Sequence, residues 1–140
     1  MNEKEVLKLI RNTPFVNGKY LSVEGAEWIE KSSPANGVNL PSIACADGEL
    51  VDKAVTNARE VFQSGVWRDR PAVEKKAVLL KWADLIKENL QTVASMDTLE
   101  TGRCLHNYVH DSIPKAIAAI RWFAESVDKL VDEAVDHNQG

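Results

Sequence analysis

The sequence predicts a mostly helical α+β fold, with short antiparallel strands followed by three main helical segments. Three observations lead there. Before Asp47, Pro, Gly and Asn interrupt short apolar stretches at strand-like spacing. After Asp47, apolar residues recur three and four positions apart almost without interruption. Within that second stretch, Gly65, Pro71, Gly102 and Pro114 supply stop and start signals that divide it into separate helices.

Val6, Leu7, Leu9 and Ile10 suggest a short amphipathic helix. It stops before Pro14, because a residue preceding proline is pushed out of the helical region. Phe15, Val16, Tyr20 and Leu21 flank Asn17-Gly18, a dipeptide that accepts the positive φ angles of a tight hairpin turn. Trp28 and Ile29 form a second extended run after the turn signals around Gly25. Ser33 to Gly37 is a loop holding Pro34 and Asn36, and Leu40 to Ala46 reads as a third short strand. The first third is thus expected to be a small antiparallel ribbon, which alone is marginal in water and needs a surface to pack on.

Asp47 has the short acceptor side chain of a helix N-cap. Behind it, Leu50, Val51, Ala54, Val55, Ala58, Val61 and Phe62 share one helical face, and Gly65 closes the helix. Pro71 suits the first turn of the next helix, whose expected core stripe is Val73, Ala77, Leu80, Ile86, Leu90, Val93 and Ala94. A break is expected near Asn89, and Gly102 ends the segment. Asp111 is positioned to cap a third long helix with Pro114 in its first turn. Its stripe is Ile113, Ile117, Ile120, Ala124, Val127, Val131 and Ala134, after which Asp136 to Gly140 form a polar, frayed end.

Composition bounds the function. At this length a domain buries about 68% of the surface its unfolded chain exposes, enough for a core. The 17 basic residues are interleaved with 21 acidic ones for a net charge of −4, which argues against a nucleic-acid or anionic-membrane partner. No apolar run approaches the roughly 20 residues that span a bilayer. Glu3 and Glu5 break up the opening residues, so they do not read as a signal peptide. A cytoplasmic location is the default expectation. Two cysteines are too few for a disulfide framework.

Cys104, His106 and His110 are the sharpest local cluster. A thiolate beside imidazoles could be a nucleophile or part of a zinc site. Yet Cys-x-His-x-x-x-His lacks a fourth ligand nearby, and the bland alternative is an ordinary, partly exposed helix surface. Cys45 lies in an apolar strand, where a buried structural thiol is expected. Asp97, Glu100 and Asp111 could pair as acid and base, or be solvated charges and a cap. Trp28, Trp67, Trp82 and Trp122 are scattered as packing anchors would be. The glycine-rich phosphate loops, the metalloprotease helix and the nucleophile elbow are all absent from the sequence.

Taken in order, several blocks resemble the aldehyde dehydrogenase family. Phe15-Val16-Asn17-Gly18-Lys19-Tyr20 resembles that family's opening, and Ser33-Pro34-Ala35-Asn36-Gly37 its Asn-Pro-Ala-Thr-Gly loop, with Ser33 for the usual Asn. Val51-Asp52-Lys53-Ala54-Val55 with Ala58-Arg59, Phe62 and Trp67 is similar to its first long helix. Ala83-Asp84-Leu85-Ile86 resembles part of the next helical stretch. Leu99-Glu100-Thr101-Gly102-Arg103 resembles the terminator, usually Leu-Asp-Thr-Gly-Lys. The most specific block is Asp111-Ser112-Ile113-Pro114 followed by Ile120-Arg121-Trp122-Phe123-Ala124-Glu125 and Asp128-Lys129. It is most similar to bacterial γ-glutamyl-γ-aminobutyraldehyde dehydrogenases.

The resemblance implies the N-terminal portion of an NAD(P)-dependent enzyme that oxidises an aldehyde, with an aminoaldehyde of putrescine breakdown as the candidate substrate. It implies one partial domain over residues 1–140: a hairpin and strand region at 1–46, helices of the cofactor-binding domain at 47–135, and a frayed tail at 136–140. The family's nucleophilic cysteine, base glutamate, oxyanion asparagine and cofactor-binding strands lie downstream of the matched region. No catalytic, cofactor-binding or metal residue is therefore assigned here, and NAD or NADP belongs to the longer family enzyme. Some relatives hold an alkali ion through the acidic residue of the terminator motif. The matching groups would be Glu100 and the backbone around Ser32, with Glu in place of Asp. The polar Asp136-His137-Asn138-Gln139-Gly140, where relatives continue into an apolar strand, is expected to mark truncation. Expected partners are the rest of the enzyme or a second copy of the chain. The alternative is a non-enzymatic helical interaction or oligomerisation module derived from the family.

Overall fold

A computed structural model gives the fold and describes residues 3–129. Helix α1 (Glu3–Leu7) presents Val6 inward, almost fully buried. Strands β1 (Phe15–Val16) and β2 (Lys19–Tyr20) pair antiparallel, with Phe15 opposite Tyr20 and Val16 opposite Lys19. Asn17 and Gly18 make the turn at φ 51° and 75°, the doubly positive geometry whose twist matches that of paired strands.

Strands β3 (Trp28–Ser32) and β4 (Asn39–Ala44) form a second hairpin. Its register shifts between Ile29 and Lys31, so that β4 carries an extra residue around Pro41 and Ser42. Pro41 has no N–H to give to a ladder, and a bulge is where such a residue is tolerated. The expectation of one ribbon of up to three strands is corrected here. Among the described residues there are two separate two-stranded sheets, because β1 and β2 do not hydrogen-bond to β3 and β4.

Asp47 caps α2 (Gly48–Gln63), its carboxylate accepting the Leu50 N–H at 2.8 Å, and Gly65 follows the helix at φ 73°. The apolar stripe of α2 forms at the expected spacing but faces outward. No residue of α2 is buried, and Val51, Val55, Val61 and Phe62 are exposed. A stripe is buried only where a second apolar surface meets it, and the described residues offer none.

Helices α3 (Ala72–Glu88) and α4 (Leu90–Thr101) break at Asn89, as expected, although Pro71 stands at the cap of α3 rather than inside its first turn. Val73 and Ala77, expected in the core, are exposed. Leu80 and Ile86 face inward as expected and are joined by Leu79 and Ala83, leaving Val78, Trp82 and Leu85 as a second, outward apolar face. Helix α6 (Ile113–Ser126) lies antiparallel to α3, since Asp84 pairs with Arg121 and Lys76 reaches Glu125 at 2.5 Å.

Asp111 does not cap a helix. The chain enters helix earlier, at α5 (Leu105–Asn107), and runs through a π-helical turn (Tyr108–Ser112) into α6, with Asp111 inside that turn and paired with Lys115 at 2.6 Å. Pro114 explains the wide turn. It has no N–H to give to the His110 carbonyl and its ring would crowd that oxygen, so Ile113 N–H bonds back to Tyr108 instead. The expected core residues Val131 and Ala134 and the tail 136–140 lie outside the described residues.

Two small cores result. One joins Ala83, Ala94, Ile113 and Ile117 beneath Ile86, Leu90, Val93 and Ile120. The other joins Val6, Leu40 and Leu99, with Val38 and Met96 packed against it. Helix α4 belongs to both. Among the described residues no helix is long and apolar enough to cross a membrane.

Gly102 ends α4 at φ 75° and sends its N–H to the Thr98 carbonyl at 2.8 Å. A Cβ there would stand 3.0 Å from the Cβ of Pro34, whereas at Gly37 (φ 72°) it would meet open space. Both positions charge a side chain about 1–2 kcal/mol for the left-handed backbone. Chemical denaturation should therefore show Gly102→Ala losing more stability than Gly37→Ala, the difference reporting the Pro34 contact.

Candidate functional site

The most constructed polar junction lies where the second hairpin meets the end of α4. Lys31 of β3 donates to both carboxylate oxygens of Glu100, at 2.6 and 2.8 Å, across 69 residues of sequence. The Lys31 side chain is only 17% exposed and that of Glu100 34%. Ser33, 1% exposed, starts the adjoining loop by donating its N–H to Val38. That loop lies against Gly102, so the missing side chain there is what lets hairpin and helix end approach. Thr101 shares a 2.9 Å hydrogen bond with the Tyr108 hydroxyl, which carries the junction on to the π turn.

Asp97 lies one turn before Glu100. Burial pushes its carboxyl above the ordinary carboxylate range, and the Glu100 charge adds to the effect. The Thr98 hydroxyl beside it is buried without a partner among the described residues. Asp97 and Glu100 are not an acid–base pair, because Glu100 is engaged by Lys31. Asp111 is likewise engaged, by Lys115. The carboxylate that some relatives would turn to an alkali ion already holds an ammonium group on both oxygens, so these residues do not fit an added cation. Lys31 carried no signal in the sequence, since its partner is distant and only the β3–β4 register brings the two together.

The expected Cys104, His106 and His110 cluster separates into its parts. Cys104 is exposed at the start of α5 and makes no side-chain capping bond. His106 and His110 are exposed and lie beside each other with ring centroids 4.3 Å apart and planes tilted by 40°. Among the described residues no three His, Cys, Asp or Glu side chains come together as a metal cage.

Cys45 is half-buried rather than sealed, and borders an open cleft of about 540 Å³ between the Leu21–Glu27 segment and the start of α2. Strand, turn and helix meet there, the arrangement that elsewhere holds a dinucleotide phosphate. Here Glu24, Glu27, Asp47 and Glu49 line it against a single Lys53, and Asp47 already takes the Leu50 N–H. That charge repels a pyrophosphate, and these residues do not fit a dinucleotide. The four tryptophans are exposed surface groups rather than packing anchors, at 44%, 43%, 53% and 65% for Trp28, Trp67, Trp82 and Trp122. Trp28 lies on β3, Trp82 on α3 and Trp122 on α6, whereas Trp67 sits in the turn between α2 and α3 with Arg70 over its ring.

Two measurements probe the junction. Lys31→Met and Glu100→Gln should each lower stability by about 1 kcal/mol, the scale of a partly exposed pair. Their combination should cost less than the sum, and a strictly additive double-mutant cycle would mean the pair contributes nothing. The raised pKa of Asp97 means that the folded chain binds more protons than the unfolded one across the window above about 3.9. Stability contributed by this group therefore falls as pH rises through that window. Asp97→Asn should stabilise the chain at neutral pH and leave it unchanged below the window, as followed by denaturation at a series of pH values.

The comparisons with known proteins bear on the whole arrangement. The model of the aldehyde dehydrogenase family matches residues 20–140. The aminoacetaldehyde dehydrogenase of Pseudomonas aeruginosa is 36% identical over 84% of this chain and 24% of its own length. The NADP/NAD-dependent aldehyde dehydrogenase PuuC of Escherichia coli is 36% identical over 94% of this chain and 26% of its own. Among solved structures, the γ-glutamyl-γ-aminobutyraldehyde dehydrogenase of Burkholderia cenocepacia superposes with a TM-score of 0.83 at 29% identity, over 96% of this chain and 28% of that one. The described arrangement matches the N-terminal part of such folds. This chain spans about a quarter of the length of the curated relatives it matches, and it belongs to the aldehyde dehydrogenase family.

Proposed function

We propose that this chain supplies the N-terminal portion of an NAD(P)-dependent aldehyde dehydrogenase that oxidises an aminoaldehyde to a carboxylate, and that by itself it does not turn over. The outward apolar stripe of α2 carries this reading: a helix with Asp47 and Gly65 in place at its ends leaves Val51, Val55 and Phe62 exposed and buries none of its residues. The outer face of α3 around Trp82 and the Trp122–Phe123 pair of α6 add to it. Relatives about four times as long have the additional chain from which such cover would come. The aminoaldehyde assignment rests on the similarity to the aminoacetaldehyde dehydrogenase of Pseudomonas aeruginosa and the γ-glutamyl-γ-aminobutyraldehyde dehydrogenase of Burkholderia cenocepacia. The cofactor assignment rests on the Escherichia coli relative. The reading also places the chain in the cytoplasm, with Cys45 and Cys104 as free thiols.

Covalent aldehyde oxidation needs a thiolate, a base, an oxyanion hole and a dinucleotide held in register. Purified chain mixed with NAD or NADP and an aminoaldehyde should produce no reduced cofactor by absorbance. A chimera in which this chain replaces the matching quarter of the Escherichia coli relative should produce it. Turnover by the chain alone that Cys104→Ala abolishes would overturn the proposal, as would a folded chimera without turnover.

The uncovered faces also give an expectation for the chain in isolation. Contiguous apolar surface of this kind promotes association. Light scattering should show a mass that rises with concentration, and an environment-sensitive dye should bind. A monodisperse monomer that leaves the dye dark would count against the need for a covering partner.

A further inference from the structure

We propose that His106 and His110 form an exposed two-imidazole chelate for a divalent first-row transition metal ion of the Zn²⁺ or Ni²⁺ type. The two residues are four apart on a helical surface, the spacing at which paired histidines hold zinc in metalloprotease helices. On a regular α-helix such a pair is offset by about 40° around the axis. The π-helical turn from Tyr108 to Ser112, which Pro114 imposes, has more residues per turn and reduces that offset. The two rings accordingly face each other, with centroids 4.3 Å apart and planes tilted by 40°.

Zinc–imidazole bonds are about 2.0–2.1 Å long, so two of them on one ion reach across about 4 Å at most. The 4.3 Å between the ring centroids is of that order. Both rings are exposed, and among the described residues neither makes a hydrogen bond or ion pair, so their nitrogen lone pairs are free. On the other side of the helix Val109 and Tyr108 pack on the core of Ile113 and Ile117, which fixes the backbone that carries the pair. The neighbouring charges are occupied, Lys115 by Asp111 and Arg103 over the Tyr108 ring. No third protein ligand joins the pair among the described residues. Water completes the coordination sphere, and the ion stays open to a further ligand.

Imidazole pairs favour ions in the order of the first-row transition series and take up Mg²⁺ poorly. Titration calorimetry of the purified chain with Ni²⁺, Zn²⁺ and Mg²⁺ should give one site for the first two and none for the third. His106→Gln and His110→Gln, each checked for retained helix by circular dichroism, should weaken Ni²⁺ binding about a hundredfold, because either change removes the chelate. His137→Gln and Cys104→Ser should change it by less than about twofold, well under the tenfold that corresponds to 1.4 kcal/mol. Equal binding of Mg²⁺, binding that survives loss of either histidine, or binding lost with Cys104 or His137 would each overturn the proposal.

Discussion

Everything described hangs on the burial of α4 on two sides. Ala94 and Val93 belong to the core that α3 and α6 build, while Leu99 and Met96 belong to the core beneath α1 and β4. A twelve-residue helix with little one-sidedness of its own thereby joins the strand region to the helical region. Neither core holds more than four fully buried side chains, so neither would stand alone. The end of α4 is where the tolerances are tightest. Gly102 turns the chain in the left-handed region, the Pro34 loop rests on it, and Lys31 clamps Glu100 across the gap.

The ion pairs follow from the same geometry. Asp84–Arg121 and Lys76–Glu125 run along the antiparallel seam of α3 and α6, outside its apolar core. Glu125 holds the Lys76 ammonium above the usual lysine range, but the pair is solvent-exposed and adds orientation more than stability. Lys31–Glu100 differs in being largely covered on the lysine side and in joining two elements that share no covalent neighbour. It also settles the chemistry of the local acidic group. A carboxylate engaged on both oxygens is not a general base, and the burial that raises Asp97 next to it comes from packing.

Family membership makes sense of features that look like defects in isolation. An amphipathic helix with good caps and no buried residue, tryptophans on open faces and two short hairpins not paired to each other are costly in a self-sufficient domain. Under the proposed reading, in which the chain is part of a longer enzyme, they are surfaces for contact with the rest of it. The π turn belongs to a different category. It answers a local steric demand by Pro114, and its by-product is the alignment of two exposed imidazoles.

Local rules were legible in the sequence wherever the energy is local. The turn at Asn17-Gly18, the Asp47 cap, the break at Asn89 and the stop at Gly102 depend on backbone φ preferences and short-range hydrogen bonds, so neighbouring residues decide them. The ordered blocks from Phe15 onward carried the family for the same reason, since they are these same signals at fixed spacing. What the tertiary structure decided is everything that depends on a distant partner. Periodicity placed Val51, Val55 and Phe62 on one face of α2, and only packing determined that the face stays open. It marked Val73, Ala77, Leu80 and Ile86 as core, but the α3–α6 seam kept Ile86, added Ala83 and left Val73 and Ala77 exposed. Asp111 looked like a cap because a Pro in a first turn usually announces a helix start. Here the helix had already begun, because a π turn absorbs the missing N–H at less cost than breaking the chain. Lys31 and Glu100 meet only because the β3–β4 register and the second core bring them together, and no spacing along the chain records that.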